Sequence, residues 1–400
     1  MPLRVVFVTS VFEDIDTGPG IYARYLWNHF RDDPLIDFHV VAPEVGARSR
    51  QLLPSGKGKN SWDLYRRLQQ RALDLSGKLG PGTIVHGNAA HSMSLFMRYS
   101  GPLVVQVNDI ELAELPAHWS EVLRRVGHRR LSALIWRRHN ERRVVRRADV
   151  VLCNSGYTAR AVLGAYGIDV DRVRTVRKAV DLRCFTPPGV LPPDPFPQRP
   201  RDGRLVFVGT DWSGKGLDVL FRALQSVASR YPNVSLVVVG PPESRANREI
   251  RTLAATLGLE ERVRFVGRLG RDEVARLLWH SDVAVLPSRR EALGVAALEA
   301  MAAGLPVVAS RTGGIPEVVE DEVCGLLCAP GDLEDLALKL SRVLVSRSLR
   351  DELAAGGLRK IEEFSTERMV SEVREVYLSL AERFGSGFGH FSHRPARHVP

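Results

Sequence analysis

Two stretches of strand-and-helix alternation, parted by a segment that can be neither, leave this chain few ways to fold. On the amino side, short apolar runs rich in β-branched residues recur at 3–8 (LRVVFV), 37–43, 83–87, 102–107, 148–155 and 173–180. Helix-length segments separate most of them, which is the βαβ pattern of a doubly wound parallel sheet. Between Pro187 and Pro200 lie seven prolines in fourteen residues. Without backbone donors such a segment is excluded from a helix or a central strand and reads as a stiff connector. Alternation then restarts at 204–209, 235–240, 263–267, 282–288, 306–310 and 325–330. The expected class is α/β, with two Rossmann-like doubly wound domains facing a cleft into which the carboxyl ends of both sheets point. The domains are predicted at 1–186 and 204–364, joined by a linker over 187–203. A helix over 365–384 follows, capped by Ser365 or Thr366, with Met369, Val373, Val376, Tyr377 and Leu380 on one stripe, and then a tail over 385–400.

Composition agrees with two ordinary cored domains. The chain has 400 residues, 44% hydrophobic and 26% charged, which excludes a disordered chain and a disulfide-stapled miniprotein. The opening MPLRVVFVTS reads as a first strand and not a signal peptide, so a cytoplasmic location is expected. The longest charge-poor segment, Ala292 to Ala309, is interrupted by Glu299 and Pro306 and is too weakly apolar to span a membrane. Cys153, Cys184, Cys324 and Cys328 are too sparse for a disulfide framework, and the pair at 324 and 328 has no neighbouring His to complete a metal site. They read as reduced structural thiols. The net charge of +10 belongs wholly to the first half: residues 1–185 carry 28 Lys+Arg against 18 Asp+Glu, and residues 186–400 carry 28 of each.

The chemistry concentrates in Pro287–Val319, PSRREALGVAALEAMAAGLPVVASRTGGIPEVV. Glu291 lies in the turn after a strand, Gly294 opens a helix, and Glu299 is that helix's only polar side chain. A buried carboxylate needs partners or takes up a proton. Carboxylates eight residues apart are separated by at most ~12 Å along a helix, with free amides and the positive dipole end between them. That gap suits a nucleotide sugar, with Glu299 on ribose hydroxyls, the helix-start amides on the diphosphate and Glu291 on the sugar. A Glu satisfied by protein donors in the core is the bland alternative.

Three further segments have two readings each. Gly209, Gly214 and Lys215 have phosphate-loop spacing, but position 216 is Gly, without the hydroxyl that ligates magnesium. A loop delivering Lys215 to a phosphate survives that objection, and a solvated lysine is the alternative. Gly18, Gly20 and Ala23 with Glu44 resemble a dinucleotide fingerprint, yet the glycines follow a loop of about seven residues instead of a tight turn, and they read better as a cleft-floor loop. The segment 120–147 holds ten arginines against Glu121 and Glu141. It reads as a solvated helix, or as a peripheral contact with an anionic membrane; with a single aromatic, Trp136, and no recognised motif, it fits nucleic-acid binding less well. Glu13, Asp14 and Asp16 after the first strand, and Asp109, Glu111 and Glu114 after the fourth, are expected to fringe the cleft.

These residues together resemble the retaining GT-B glycosyltransferases of family four, relatives of bacterial glycogen synthase and of mannosyltransferases acting on phosphatidylinositol. The specific parts are E-x7-E at Glu291 and Glu299, GLPVVAS at 304–310, TGGIPEVV at 312–319 and the Lys215–Gly216 pair. The resemblance implies that the second half binds a nucleoside-diphosphate sugar, the first half binds the acceptor, and the closing helix crosses back to the first domain. It places Lys215 on the donor diphosphate, Glu299 on the ribose and Glu291 beside the donor sugar. Backbone contacts fall to Ala292, Leu293, Gly294 and Val295, the base rests on Gly267, Arg268 and Leu269, and Gly18 and Gly20 approach the diphosphate. Two positions depart from the pattern: Thr210 stands where the family has an Arg, and Asn108 where it has a His, with Arg289 or Lys178 available as compensating cations.

The expected reaction is retaining, metal-independent transfer from a UDP- or GDP-sugar, with no cofactor beyond that co-substrate. Front-face attack is expected, the two halves closing on the donor. Asp16, Asn108, Asp109 and Glu111 are the acceptor candidates. The carboxylates favour a soluble amino sugar or aminocyclitol, and the arginines a lipid-linked acceptor at the inner membrane face. A dehydrogenase using Gly18, Gly20 and Glu44, a same-fold epimerase and a silent nucleotide-binding protein are the competing classes.

Overall fold

The computed structural model describes residues 2–10, 18–42, 61–88, 94–109, 134–197, 203–241 and 245–384. The chain divides into two compact units. One comprises Met1–Leu152, Val162–Arg174 and Val370–Pro400, and the other Cys153–Ala161 and Thr175–Met369.

The first unit is built on β1 (Leu3–Thr9), α1 (Gly18–Phe30), β2 (Ile36–Val41), α2 (Ser61–Leu79), β3 (Ile84–Asn88), β4 (Leu103–Val107), α3 (134–147), β5 (Val150–Cys153), the end of α4 (Gly156–Tyr166), whose start up to Ala161 belongs to the second unit, and β6 (Val173–Thr175). Its sheet has the order β2-β1-β3-β4-β5-β6. β1 pairs in parallel with both β2 and β3, and β3 with β4. The direction of winding therefore reverses between β1 and β3. β1, β3 and β4 are buried along nearly their whole length, as expected where both faces of a parallel sheet are covered.

Two expectations change here. The apolar run 173–180 yields a strand of only three residues, because the Val176 N–H turns to the carbonyl of Cys153 (2.8 Å) and the Val180 N–H to that of Phe364 (3.1 Å). Gly18 and Gly20 lie in the first turn of α1 and not in a loop. Pro19, with its φ fixed near the helical value and no donor to lose, favours a helix start there.

The second unit contains α5 (Leu182–Phe185), β7 (Arg204–Val208), α6 (Leu217–Ala228), β8 (Ser235–Val239), α7 (Arg245–Thr256), β9 (Val263–Gly267), α8 (Arg271–Trp279), β10 (Val283–Leu286), α9 (Val295–Ala302), β11 (Val307–Ser310), α10 (Ile315–Val318), β12 (Gly325–Cys328), α11 (Leu333–Val345) and α12 (Arg347–Lys360). Its parallel sheet runs β12-β11-β10-β7-β8-β9, with the reversal between β7 and β10. Alternate residues of each strand enter two apolar clusters. Val206, Ala284 and Leu286 meet Leu277, Leu298 and Ile315 on one face, and Leu205, Phe207 and Val285 meet Leu220, Leu340 and Val343 on the other. Of the proline segment, Asp194 receives the buried Arg204 guanidinium (2.9 Å) and the Pro192 carbonyl meets His280 Nε2 (2.8 Å).

The last helix, α13 (Thr366–Arg383), begins under a Ser365 cap, whose Oγ accepts from the Arg368 N–H (3.2 Å). From Val370 onward it belongs to the first unit. Its expected stripe is buried, and Tyr377 Oη meets His86 Nδ1 of β3 at 2.6 Å. Arg374 pairs with Asp33. Full burial pushes His86 down to about 3, so the imidazole stays neutral in the sheet.

Candidate active site

In an open α/β sheet, ligands bind beyond the carboxyl ends of the strands where the winding reverses. In the second unit those strands are β7 and β10. The chain leaving β7 reaches Lys215 seven residues beyond Val208, and the chain leaving β10 reaches Glu291 five residues beyond Leu286. There Lys215 Nζ lies 2.5 Å from Glu291 Oε2, both side chains only partly open to solvent.

Local geometry forces the approach. Asp211 Oδ1 accepts from the Gly214 N–H (3.0 Å) and the Asp211 carbonyl from the Lys215 N–H (2.8 Å), which closes the loop into a tight turn. Gly216 follows at φ 69° as the N-cap of α6, and a Cβ there would lie 2.0 Å from the Pro287 carbonyl oxygen. Only glycine lets the two loops meet. Arg289 fastens them: its N–H donates to the Gly214 carbonyl (3.0 Å) and its guanidinium to the Ser213 carbonyl (2.7 Å) and, forked, to both oxygens of Asp218 (2.6 Å each). Half-burial works against the Asp218 charge, but this guanidinium holds its carboxyl below the usual range. Arg289 is thus engaged in supporting the Lys215 loop.

Past Glu291 the chain turns through Gly294 (φ 103°, ψ 49°) into α9. The first amides of a helix have no intrahelical acceptor, so those of Val295 and Ala296 face outward from its start. Ala297, Leu298, Ala300, Met301 and Ala302 are buried, while Val295, Ala296 and Glu299, spaced as neighbours on one helix face, are half-buried. Desolvation pushes the Glu299 carboxyl up to about 7, against a smaller pull from Arg271. The TGG element packs beneath this turn. A Cβ on Gly313 would lie 1.8 Å from the Glu291 carbonyl oxygen, and one on Gly314 would lie 2.3 Å from that of Ala292. The Gly314 N–H donates to the Glu291 carbonyl (3.0 Å).

The structure therefore brings Lys215, Glu291, Ala292, Leu293, Gly294, Val295 and Glu299 into one unit. Thr210 is exposed, its carbonyl accepting from Asn247 Nδ2 (3.0 Å). Gly267 (φ 75°) ends β9, its carbonyl receiving the Gly240 N–H (2.8 Å). Arg268 after it is exposed, and Leu269 packs on the apolar cluster around α9. Lys178 is buried.

Gly18 and Gly20 belong to the first unit, at the start of α1. Asn108 and Asp109 follow β4, Asn108 half-buried and Asp109 exposed. Asp16 and Glu111 lie outside the described residues, as do Glu13, Asp14, Glu44, Glu114 and the 120–133 part of the arginine-rich segment.

Sequence reasoning missed a polar row at the first unit's own reversal point. Register sets Thr9 beside Asn88, and Asn88 beside Gln106, along β1, β3 and β4. Asn88 Nδ2 donates to Thr9 Oγ1 (3.2 Å) and to the Pro19 carbonyl (3.0 Å), and its Oδ1 accepts from Asn108 Nδ2 (2.8 Å). Gln106 is fully buried, and neither of its amide atoms has a hydrogen-bond partner among the described residues. The signal was present: one polar residue inside the apolar strand LVVQV.

Known proteins share the architecture that carries this geometry. Residues 17–183 match the model described as Glycosyltransferase Family 4, and residues 195–359 the one described as Glycosyl transferases group 1. The chain belongs to the family-four glycosyltransferases. The D-inositol 3-phosphate glycosyltransferase of Saccharomonospora viridis is 35% identical to this family-four chain over 252 residues, covering 61% of it and 58% of the relative. The protein of the same name from Actinosynnema mirum is 35% identical over 252 residues, covering 59% of each. The matches thus span about three fifths of the length of these curated relatives. Among solved structures, a sucrose-phosphate synthase from Thermosynechococcus elongatus superposes with a TM-score of 0.74 at 19% identity, covering 95% of this chain and all (100%) of the other. HepE of Anabaena, solved with UDP and glucose, gives 0.71 at 20% identity, covering 94% and 100%. These neighbours share the two-sheet GT-B fold.

Proposed function

We propose that this protein transfers a sugar from a nucleoside-diphosphate sugar to an acceptor hydroxyl, with the donor held by the second unit. The observation that carries the reading is the Lys215–Glu291 pair at the β7/β10 reversal, with Glu299 on the next helix. A diphosphate competes with Glu291 for the Lys215 ammonium. Glu291, released from that partner, accepts from sugar hydroxyls, and Glu299 accepts from the ribose. In the retaining course, the bond from anomeric carbon to phosphate oxygen breaks while the acceptor oxygen attacks the same face. The acceptor proton passes to the departing phosphate oxygen. Lys215 and the amides at the α9 start stabilise the charge left on the diphosphate. These groups supply the positive charge without a metal ion, and turnover in excess chelator is the check. Accumulation of UDP or GDP with the α-linked product from an α-linked donor supports the reading, and release of a changed nucleotide sugar without acceptor favours an epimerase instead.

For the acceptor, a cyclitol-type polyol fits best. The relatives are named for an inositol phosphate, and the described reversal point of the first unit offers the neutral groups Asn88, Gln106 and Asn108. The aminated acceptor rests on carboxylates of which only Asp109 is among the described residues. A lipid-linked acceptor is the second reading, favoured by exposed Ile135 and Trp136 on arginine-rich α3. Transfer to an inositol phosphate, an aminocyclitol and a lipid-linked sugar, each with and without anionic liposomes, separates the three.

A further inference from the structure

The start of α4 is built unlike that of α9. The first amides of a helix are ordinarily left to water, caps or ligands, and in α4 side chains of the protein take those of Gly156, Tyr157 and Thr158. The Gly156 N–H donates to Glu317 Oε2 (2.9 Å) and the Tyr157 N–H to Glu317 Oε1 (2.7 Å). The Thr158 N–H donates to Ser155 Oγ (3.0 Å), and the regular helix bonds begin with the Ala159 N–H on the Ser155 carbonyl (3.0 Å). A carboxylate forked across a helix start gains from charge-assisted bonds and from the dipole. Arg177 stands 3.9 Å away on the same carboxylate.

Ser155, fully buried, directs its one proton to the Ala292 carbonyl at 2.6 Å. The neighbouring Thr158 hydroxyl donates to Asn154 Oδ1 (2.8 Å), which leaves Ser155 as the principal donor to Ala292. The preceding carbonyl, that of Glu291, receives the Gly314 N–H (3.0 Å). Two consecutive carbonyls of the Glu291–Gly294 turn are therefore tied down, one by the α4 start and one by the TGG element that leads into Glu317 on α10. In a trans peptide the carbonyl and the following N–H point in opposite directions. Anchoring these carbonyls fixes the Ala292 and Leu293 N–H groups on the opposite side, and neither has a backbone acceptor among the described residues.

We propose that Ser155 and Glu317 are positioning residues for donor binding: they form a bracket that holds two peptide planes so that the Ala292 and Leu293 amides face the anionic part of the nucleotide sugar. The inference rests on the donor reading above. Ser155 acts through Ala292, and Glu317 acts by seating α4, so neither touches the donor.

The test is Ser155→Ala, Glu317→Gln and the double variant, with UDP and GDP affinity by calorimetry, donor and acceptor KM, kcat and unliganded melting temperature. Each single variant should weaken nucleotide binding and raise donor KM about 5-fold, the scale of one lost hydrogen bond, with acceptor KM unchanged. The double variant should weaken binding no further than the worse single one, since both act on one turn. A lower melting temperature with unaltered donor KM and nucleotide affinity overturns the bracket alone. Wild-type protein that binds neither UDP nor GDP overturns the donor reading and the bracket with it.

Discussion

The two sheets reverse their winding in the same way and furnish the reversal with opposite chemistry. Beyond β7 and β10 stand an ammonium, two carboxylates and helix-start amides. At the ends of β1, β3 and β4 the described polar side chains are the Thr9 hydroxyl, the amides of Asn88, Gln106 and Asn108, and one exposed carboxylate, Asp109. On the proposed reading, a common backbone solution would serve two ligand types: full charges for the charged donor, and mostly neutral donor–acceptor groups for the hydroxyls of a polyol. The cost differs as well. Lys215 and Glu291 compensate one another, whereas Gln106 is buried with both amide atoms unpaired among the described residues, a penalty of roughly 1–3 kcal/mol.

The contrast breaks most readily at Lys215. Lys215→Ala should lower kcat by at least about 10²-fold, the scale of removing one preorganised charge-stabilising donor; unchanged turnover would remove the charged side of the comparison. A smaller effect is expected at Glu299. With its carboxyl at about 7 through burial, the fraction ionised rises about tenfold from pH 6 to pH 8, and nucleotide affinity should rise with it. Glu299→Gln should bind weakly with a flat profile, and a wild-type profile of the opposite slope would remove the ribose role. The same shift bears on stability. A carboxyl raised in the folded state favours folding below its unfolded pKa and loses that contribution as pH rises through about 7, so the melting difference between Glu299→Gln and wild type should change across that window. The smallest effect sharpens the neutral side. Gln106→Leu should gain about 1 kcal/mol in denaturant unfolding by deleting an unpaired amide, while raising acceptor KM and leaving donor KM alone. A destabilised variant with normal acceptor kinetics would make Gln106 an ordinary core residue.

The fold was legible because each strand is a short apolar run in a chain of otherwise mixed polarity; all twelve strands among the described residues fall at the runs picked out in the sequence. Lys215, Glu291 and Glu299 were legible because each is chemically isolated: a rare lysine beside glycines, and lone carboxylates around an apolar helix. Contacts between distant segments were not. Nothing near Glu317 announces that its oxygens close the start of a helix 160 residues earlier. Apolarity also misled at 173–180, since it reports burial and not ladder pairing: Val176, Ala179 and Val180 are buried outside any strand.

The α4 start carries a consequence for inheritance. The prolines are the obvious place to join halves of two related enzymes, but Ser155 lies ahead of them and its receptor, Ala292 with Glu317, lies behind. A chimera fused at Pro187–Pro200 takes key and lock from different parents. Its success then depends less on the seam than on whether a serine hydroxyl and a carboxylate fork still find each other.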